Sequence, residues 1–242
     1  MLHTCNAGEV KANANLTAEL NATVKLYAKW TANTYTVTYK ANGGTGTTNQ
    51  STHSYDTEKA LSSNAFSRND YTFLGWSTDS SATIATYSNG QKVSTLAISG
   101  EVVLYAVWVK TGYSASWDID KELEENDSYE QTISPGFNKQ ALLNNGYTKI
   151  SLTLKFKHEE NNAICFNDGR VQVYSNDGSV SFANESWDPK ASENTYTLSI
   201  SIDIVNLGSD GSFKVKYSTD DDKGNRYDGW YLRDPSVTIT AS

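Results

Sequence analysis

The sequence is poor in cysteine, methionine and proline, with two, one and three residues among 242. Two cysteines, Cys5 and Cys165, cannot make the framework of bridges on which small secreted domains rely, and a buried free thiol is the expected state of Cys165. No Cys-x-x-Cys occurs, and His3, His53 and His158 lie far apart, which argues against a structural zinc site. No apolar run approaches the roughly 20 residues of a membrane helix, so membrane insertion is not expected. Met1 to Glu9 carry neither the basic nor the apolar stretch of a signal peptide. The sequence is expected to begin inside a larger multidomain protein. Gly-x-Ser-x-Gly, P-loop and His-Glu-x-x-His patterns are all missing, so no catalytic residue is assigned and an enzyme is not expected. Acid pairs of the kind used in glycoside hydrolysis remain, but most acids fall in turns or at strand ends, where solvation accounts for them.

Aromatic residues are plentiful, at 12% with 15 tyrosines, while hydrophobic content is 38%. Tyr, Thr and Val pack well on pleated surfaces, so this balance points to short strands with one buried face. Enough apolar area is available to exclude a disordered chain. The abundance of Thr, Ser, Asn, Gly and Tyr is of an extracellular kind. Charge is uneven: residues 1–110 hold 7 acids and 8 bases, and residues 111–242 hold 21 acids and 12 bases. The acidic second half argues against nucleic acid as a partner. The contrast between halves predicts two domains.

A repeat organises the first half. Val24-Lys25-Leu26-Tyr27-Ala28-Lys29-Trp30 returns 78 residues later as Val102-Val103-Leu104-Tyr105-Ala106-Val107-Trp108, with five of seven positions identical. Residues 33–110 therefore read as one complete unit, and residues 1–32 as the remnant of a preceding one. Within the unit, Tyr35 to Tyr39 alternates with period two, and Asn42-Gly43-Gly44 supplies turn chemistry. Residues 57–66 fit a short helical turn or an irregular link. Tyr71 to Trp76 and Glu101 to Val109 are further strands. These three blocks, in this order, resemble the internalin B-type (Listeria–Bacteroides) repeat. The resemblance implies a β-grasp-like fold carried on bacterial surface and secreted proteins, serving as a stalk or contact module. Trp76 and Trp108 are accordingly expected in the core rather than at a ligand.

Beyond Gly112 the pattern changes. Phe137 to Asn145 reads as a short helix ended by Gly146. Tyr147 to Phe156 alternates strictly, and Val171–Tyr174, Thr195–Val205, Phe213–Tyr217 and Val237–Thr240 continue in that style. Many short strands separated by Gly- and Asp-rich turns predict an antiparallel β-sandwich, jelly-roll-like, over residues 111–242. The ending Trp230 to Thr240 is similar to the closing strand of galactose-binding-like sandwiches, which bears on architecture only.

Candidate ligand contacts lie in two segments read as loops. Trp187 and Asp188 stand in Asn184-Glu185-Ser186-Trp187-Asp188-Pro189, and Tyr227, Asp228 and Trp230 follow Thr219 to Arg226. An aromatic face stacks on a sugar ring while neighbouring carboxylates or amides bond its hydroxyls. The competing reading makes Trp230 a core residue and Trp187 a loop anchor. Asp220-Asp221-Asp222-Lys223-Gly224-Asn225 offers oxygen ligands for calcium, but without EF-hand spacing, so a solvated turn is favoured and no cofactor is assigned. The expected function is a non-catalytic extracellular module in which the repeat is a spacer and the sandwich binds a glycan or surface protein. The alternative is a structural stalk or protein–protein adhesion segment without a small ligand.

Overall fold

A computed structural model describes residues 31–124, 127–160, 169–187, 194–219 and 230–242. The 1–32 remnant with its Val24–Trp30 strand, Cys5, Cys165 and the Asp220–Asn225 turn fall essentially outside them. The first strands are β1 (Thr34–Lys40), β2 (Thr45–Gly46), β3 (Ser51–Ser54), β4 (Lys59–Ala60), β5 (Phe66–Ser67), β6 (Tyr71–Ser77), β7 (Lys92–Val93) and β8 (Gly100–Lys110). There follow β9 (Gly112–Ser116), β10 (Asp120–Leu123), β11 (Ser128–Ile133), α1 (Lys139–Asn144), β12 (Lys149–Glu160), β13 (Gly169–Tyr174) and β14 (Ser181–Trp187). The last are β15 (Asn194–Asp203), a 3-10 turn (Ile204–Asn206), β16 (Phe213–Thr219) and β17 (Trp230–Ala241). Contacts divide the chain in two. One unit comprises the described residues up to Phe66 with Gly75–Ser80 and Thr86–Ala106, and the other Ser67–Leu74, Ser81–Ala85 and Val107–Ser242.

The repeat is β-grasp-like. Its sheet has the order β3-β1-β8-β6, with β1 antiparallel to β3 and parallel to β8. Period-two alternation buries Tyr35, Val37 and Tyr39 on one face of β1. Trp76 is fully buried there, 4.8 Å from the Tyr39 ring and edge-on to Phe66 at 6.1 Å. The turn after β1 is left-handed at both Asn42 (φ 50°) and Gly43 (φ 90°), the geometry for which Asn-Gly is suited. The Asn42 amide then donates to the carbonyls of Ser80 and Ala106, both at 2.9 Å. Residues 57–66 form an irregular link with two-residue bridges and no helix. Trp108 departs from expectation: it is half-buried, edge-on to Phe73 at 5.5 Å. It shares a face with Leu104 and Ala106, but the β1–β8 register ends at Lys40 and Tyr105, so β1 has no residue opposite it.

The second half is an antiparallel sandwich in jelly-roll order. One sheet runs β10-β17-β12-β15, with β9 also on β17, and the other β11-β16-β13-β14. β9 and β10 lie end to end along β17, opposite Ser236–Thr240 and Trp230–Arg233 respectively. Between them, Asp234 adopts φ 45° beside Pro235, and the β12–β17 register slips between Lys155 and Lys157. A proline that cannot donate to a ladder is accommodated by such a bulge. Inward positions alternate as the sequence predicts. Ile150, Leu152, Leu154 and Phe156 face Val171, Val173, Val215 and Tyr217 in one core. Helix α1 is capped by Asn138, whose side chain accepts from the Ala141 N–H at 2.8 Å, and Gly146 (φ 84°) follows its end. Gly211 (φ 79°) is pressed against Phe137, where an added Cβ would lie 2.9 Å from the Phe137 Cβ.

Candidate functional site

The ladder registers converge on one end of the sandwich. Leu123, closing β10, and Glu160, closing β12, both lie opposite Trp230, the first residue of β17. Gly169, opening β13, lies opposite Trp187, the last residue of β14, and opposite Thr219, the last of β16. Four links between the sheets (β10–β11, β12–β13, β14–β15 and β16–β17) therefore leave and re-enter at this end. Trp187 and Trp230 stand there in opposite sheets. Their side chains, and Asp188, Tyr227 and Asp228 entirely, lie outside the described residues. Asn184 to Trp187 is strand rather than loop, because it pairs with Arg170–Gln172 and Gly169 along an edge of the sheet.

One described aromatic adjoins these positions, and sequence reasoning did not select it. Tyr231 lies opposite Glu122, and the Arg233 guanidinium sits 5.1 Å from its ring centroid. Arg233 Nε donates to Asp120 Oδ1 at 2.9 Å. Loss of hydration raises the Tyr231 phenol above its ordinary value, with Glu122 adding to it. An aromatic ring flanked by two carboxylates and a guanidinium offers both a stacking face and hydroxyl partners.

The outer faces of the two sheets differ. On the β9/β10-β17-β12-β15 sheet the centre is short hydroxyl side chains, Ser114, Thr238, Thr153 and Ser199 lying in one row, with Lys155 in the next. On the other sheet the outward residues are long. Glu130, Lys216, Gln172 and Asn184 form one row, and Thr132, Lys214, Tyr174 and Ser181 the next. Lys214 Nζ lies 2.8 Å from Glu130, and the Tyr174 hydroxyl donates to the same carboxylate. These two bonds, Lys214 first, hold Glu130 below the usual carboxylate range. Burial, then Glu130, pushes Tyr174 up to about 12. The signal for this face in the sequence is the polar phase of the alternating strands, Arg170-x-Gln172-x-Tyr174 and Lys214-x-Lys216.

A hollow of about 510 Å³ at the far end is lined by Gly136–Gln140, Ser209 and Asp210. Its polar groups are already committed: Lys139 donates to the carbonyls of Val205 and Leu207, and Asp210 accepts from the Ser212 N–H. A second hollow of about 340 Å³, in the repeat, runs from Glu58 to Leu96 and holds the exposed Glu58–Lys92 pair. No three His, Cys, Asp or Glu side chains gather to hold a metal among the described residues. No helix among them is long and apolar enough to cross a membrane.

Comparison with known proteins places the first half. Residues 35–107 match the model of the Listeria-Bacteroides repeat domain. No curated protein matches the chain. Solved structures match parts of the chain at low identity and low TM-score. The VP2 subviral particle of infectious bursal disease virus is 8% identical over 54% of this chain and 32% of that one, with a TM-score of 0.34. A carbohydrate-binding module of Cellvibrio mixtus lichenase 5A, solved with cellotriose, is 9% identical over 53% of this chain and 97% of that one, at 0.30. Dimeric latent PorU from Porphyromonas gingivalis is 8% identical over 55% of this chain and 13% of that one, at 0.33. The chain thus spans about a third of the viral protein's length. Likeness at this level assigns no ligand.

Proposed function

We propose that this chain is a non-catalytic module of a bacterial cell-surface or secreted protein, in which the repeat spaces and presents the sandwich. The sandwich binds a glycan or another surface ligand at the end where the four links meet. The observation that carries this reading is the register, which brings Trp187 and Trp230 to one end from opposite sheets. Asp188, Tyr227 and Asp228 belong to links that return to the same end, and Tyr231 with Arg233, Asp120 and Glu122 extends it with sugar-compatible chemistry. The extracellular setting rests on the repeat family, and a partner with exposed hydroxyls on the aromatic and carboxylate composition of this end.

The test is a glycan-array screen of the full chain, with and without calcium. Saturable binding to one sugar class, lost in folded Trp187→Ala and Trp230→Ala variants, is the expected result. Silence across the array from a folded sample would overturn the glycan reading in favour of a stalk or protein-adhesion segment. Binding only with calcium would add the Asp220–Asn225 segment to the site.

A further inference from the structure

The outer face of the β11-β16-β13-β14 sheet is cationic within an acidic half of the chain. Among the described residues its outward positions hold three cations, Arg170, Lys214 and Lys216, and one carboxylate, Glu130. Residues 111–242 as a whole hold 21 acids and 12 bases. The opposite outer face shows the usual balance. There Lys149 pairs with Asp203, Lys157 with Asp234 and Arg233 with Asp120, leaving Lys155 in the hydroxyl field. Glu185 does not offset the cationic face, because its position alternates with Asn184 and Ser186 and its charge acts on Tyr196 of β15.

Spacing makes the patch coherent. Strands lie about 4.8 Å apart and residues on one face recur roughly every 7 Å, so Lys216 is a near neighbour of both Arg170 and Lys214. Lys216 lies within about one screening length of each of the other two at physiological salt, so its field adds to theirs. Glu130 is already engaged by Lys214 and Tyr174, and Lys216 makes no ion pair among the described residues. Between the cations stand groups that exchange hydrogen bonds with hydroxyls: Gln172, Asn184, Ser186 and Ser218. Among the described side chains Tyr174 is the outward aromatic of this face and no aliphatic side chain joins it, so a peptide's apolar side chains find no socket among them.

We propose that this face binds an acidic polysaccharide, Lys216 pairing with a uronate carboxylate while the amides and hydroxyls around it take the ring hydroxyls. Nucleic acid fits less well. Its charge, about one per 1.7 Å of duplex, meets the acidic remainder of the domain far more strongly than the sparser carboxylates of a polyuronate. The site is separate from the loop end and does not depend on it.

The experiment is a calorimetric titration of the full chain with polygalacturonate in chelator, at about 0.05 M and about 0.5 M salt. Methyl-esterified polygalacturonate removes the charge and keeps the sugar, and poly-L-glutamate keeps the charge and removes the sugar. Binding should weaken with salt and fall roughly tenfold with the ester, with poly-L-glutamate and in Lys216→Glu. Lys216→Gln should lose part of that, and Lys155→Glu on the opposite face should bind as the unaltered chain does. No binding, equal losses in Lys216→Glu and Lys155→Glu, or equal affinity for the ester would overturn the proposal. Equal affinity for poly-L-glutamate would overturn it in favour of an acidic protein. An unaltered chain that binds a neutral glycan in a Trp187-dependent way but ignores polygalacturonate would refute this face alone.

Discussion

Replacing Tyr217 with Phe should stabilise the sandwich. Tyr217 is fully buried on β16, edge-on to Phe156 at 5.1 Å and stacked near Tyr129 at 6.3 Å. Its ring is well used, but its hydroxyl has no hydrogen-bond partner. Burying a hydroxyl without a partner costs about 1–3 kcal/mol on the scale of protein mutants. Deleting the oxygen leaves a void of ~10 Å³, which at about 24 cal/mol per Å³ costs only ~0.2 kcal/mol. The balance favours Tyr217→Phe by about 1–2 kcal/mol, or roughly a tenfold slowing of amide exchange where global opening controls it. Hydrogen exchange of β12, β13 and β16 in the full chain reads the sandwich separately from the repeat. A second signature lies in alkali. Burial raises the Tyr217 phenol above its unfolded value, so stability is intact below about pH 10 and falls as pH rises through the folded value. Tyr217→Phe should blunt that fall. Exchange that quickens tenfold in the variant would refute the reasoning and show that the hydroxyl is satisfied, for example by a buried water.

Two further outcomes are expected. His53 is buried, stacked on Tyr35 at 5.4 Å, with Nε2 on the Ser51 hydroxyl at 2.9 Å and Nδ1 unpartnered. Burial, then the Lys59 charge, lowers its value, so its contribution is intact above about pH 6.5 and is lost as pH falls below it. The protection of β1 and β3, as exchange corrected for its intrinsic pH dependence, should therefore fall between pH 7 and pH 5, and His53→Gln should flatten that dependence. An unchanged slope in the variant would assign it to another group. Gly211→Ala combines an unfavourable φ with a 2.9 Å clash on the fully buried Phe137, and should cost at least about 1 kcal/mol. A lowered urea midpoint for the sandwich, unaltered for the repeat, is the measurement.

Which elements can be read from sequence follows from how their two faces differ. Tyr147 to Phe156 alternates strictly, so β12 is legible, and its inward residues are the ones found buried. β14 is not. Among the described side chains of Ser181 to Ser186, the one buried is Ala183, because an edge strand has less to cover, and its polar letters resemble a loop. The short β9 and β10 escape notice for the same reason. The repeat is readable through Asn42-Gly43 and its aromatics, yet Trp108 shows the limit: the motif carries residue type, whereas burial depends on where the partner strand ends. Site residues are harder still. Arg170, Gln172, Lys214 and Lys216 are visible as polar phases of separate strands. Only the pairing of Gln172 with Lys216, and of Lys216 with Glu130, joins segments far apart in the chain into one face.

The parallel pairing of β1 and β8 has a mechanical consequence. The first and last strands of the repeat are neighbours, registered from Tyr35 opposite Gly100 to Lys40 opposite Tyr105. Tension applied at the start of β1 and the end of β8 pulls these strands in opposite directions along their own length. Their hydrogen bonds are then loaded together in shear, rather than opened one after another as a hairpin pulled from its open end would be. A repeat wired this way resists stretching collectively, while bending or twisting at its ends leaves the ladder unloaded.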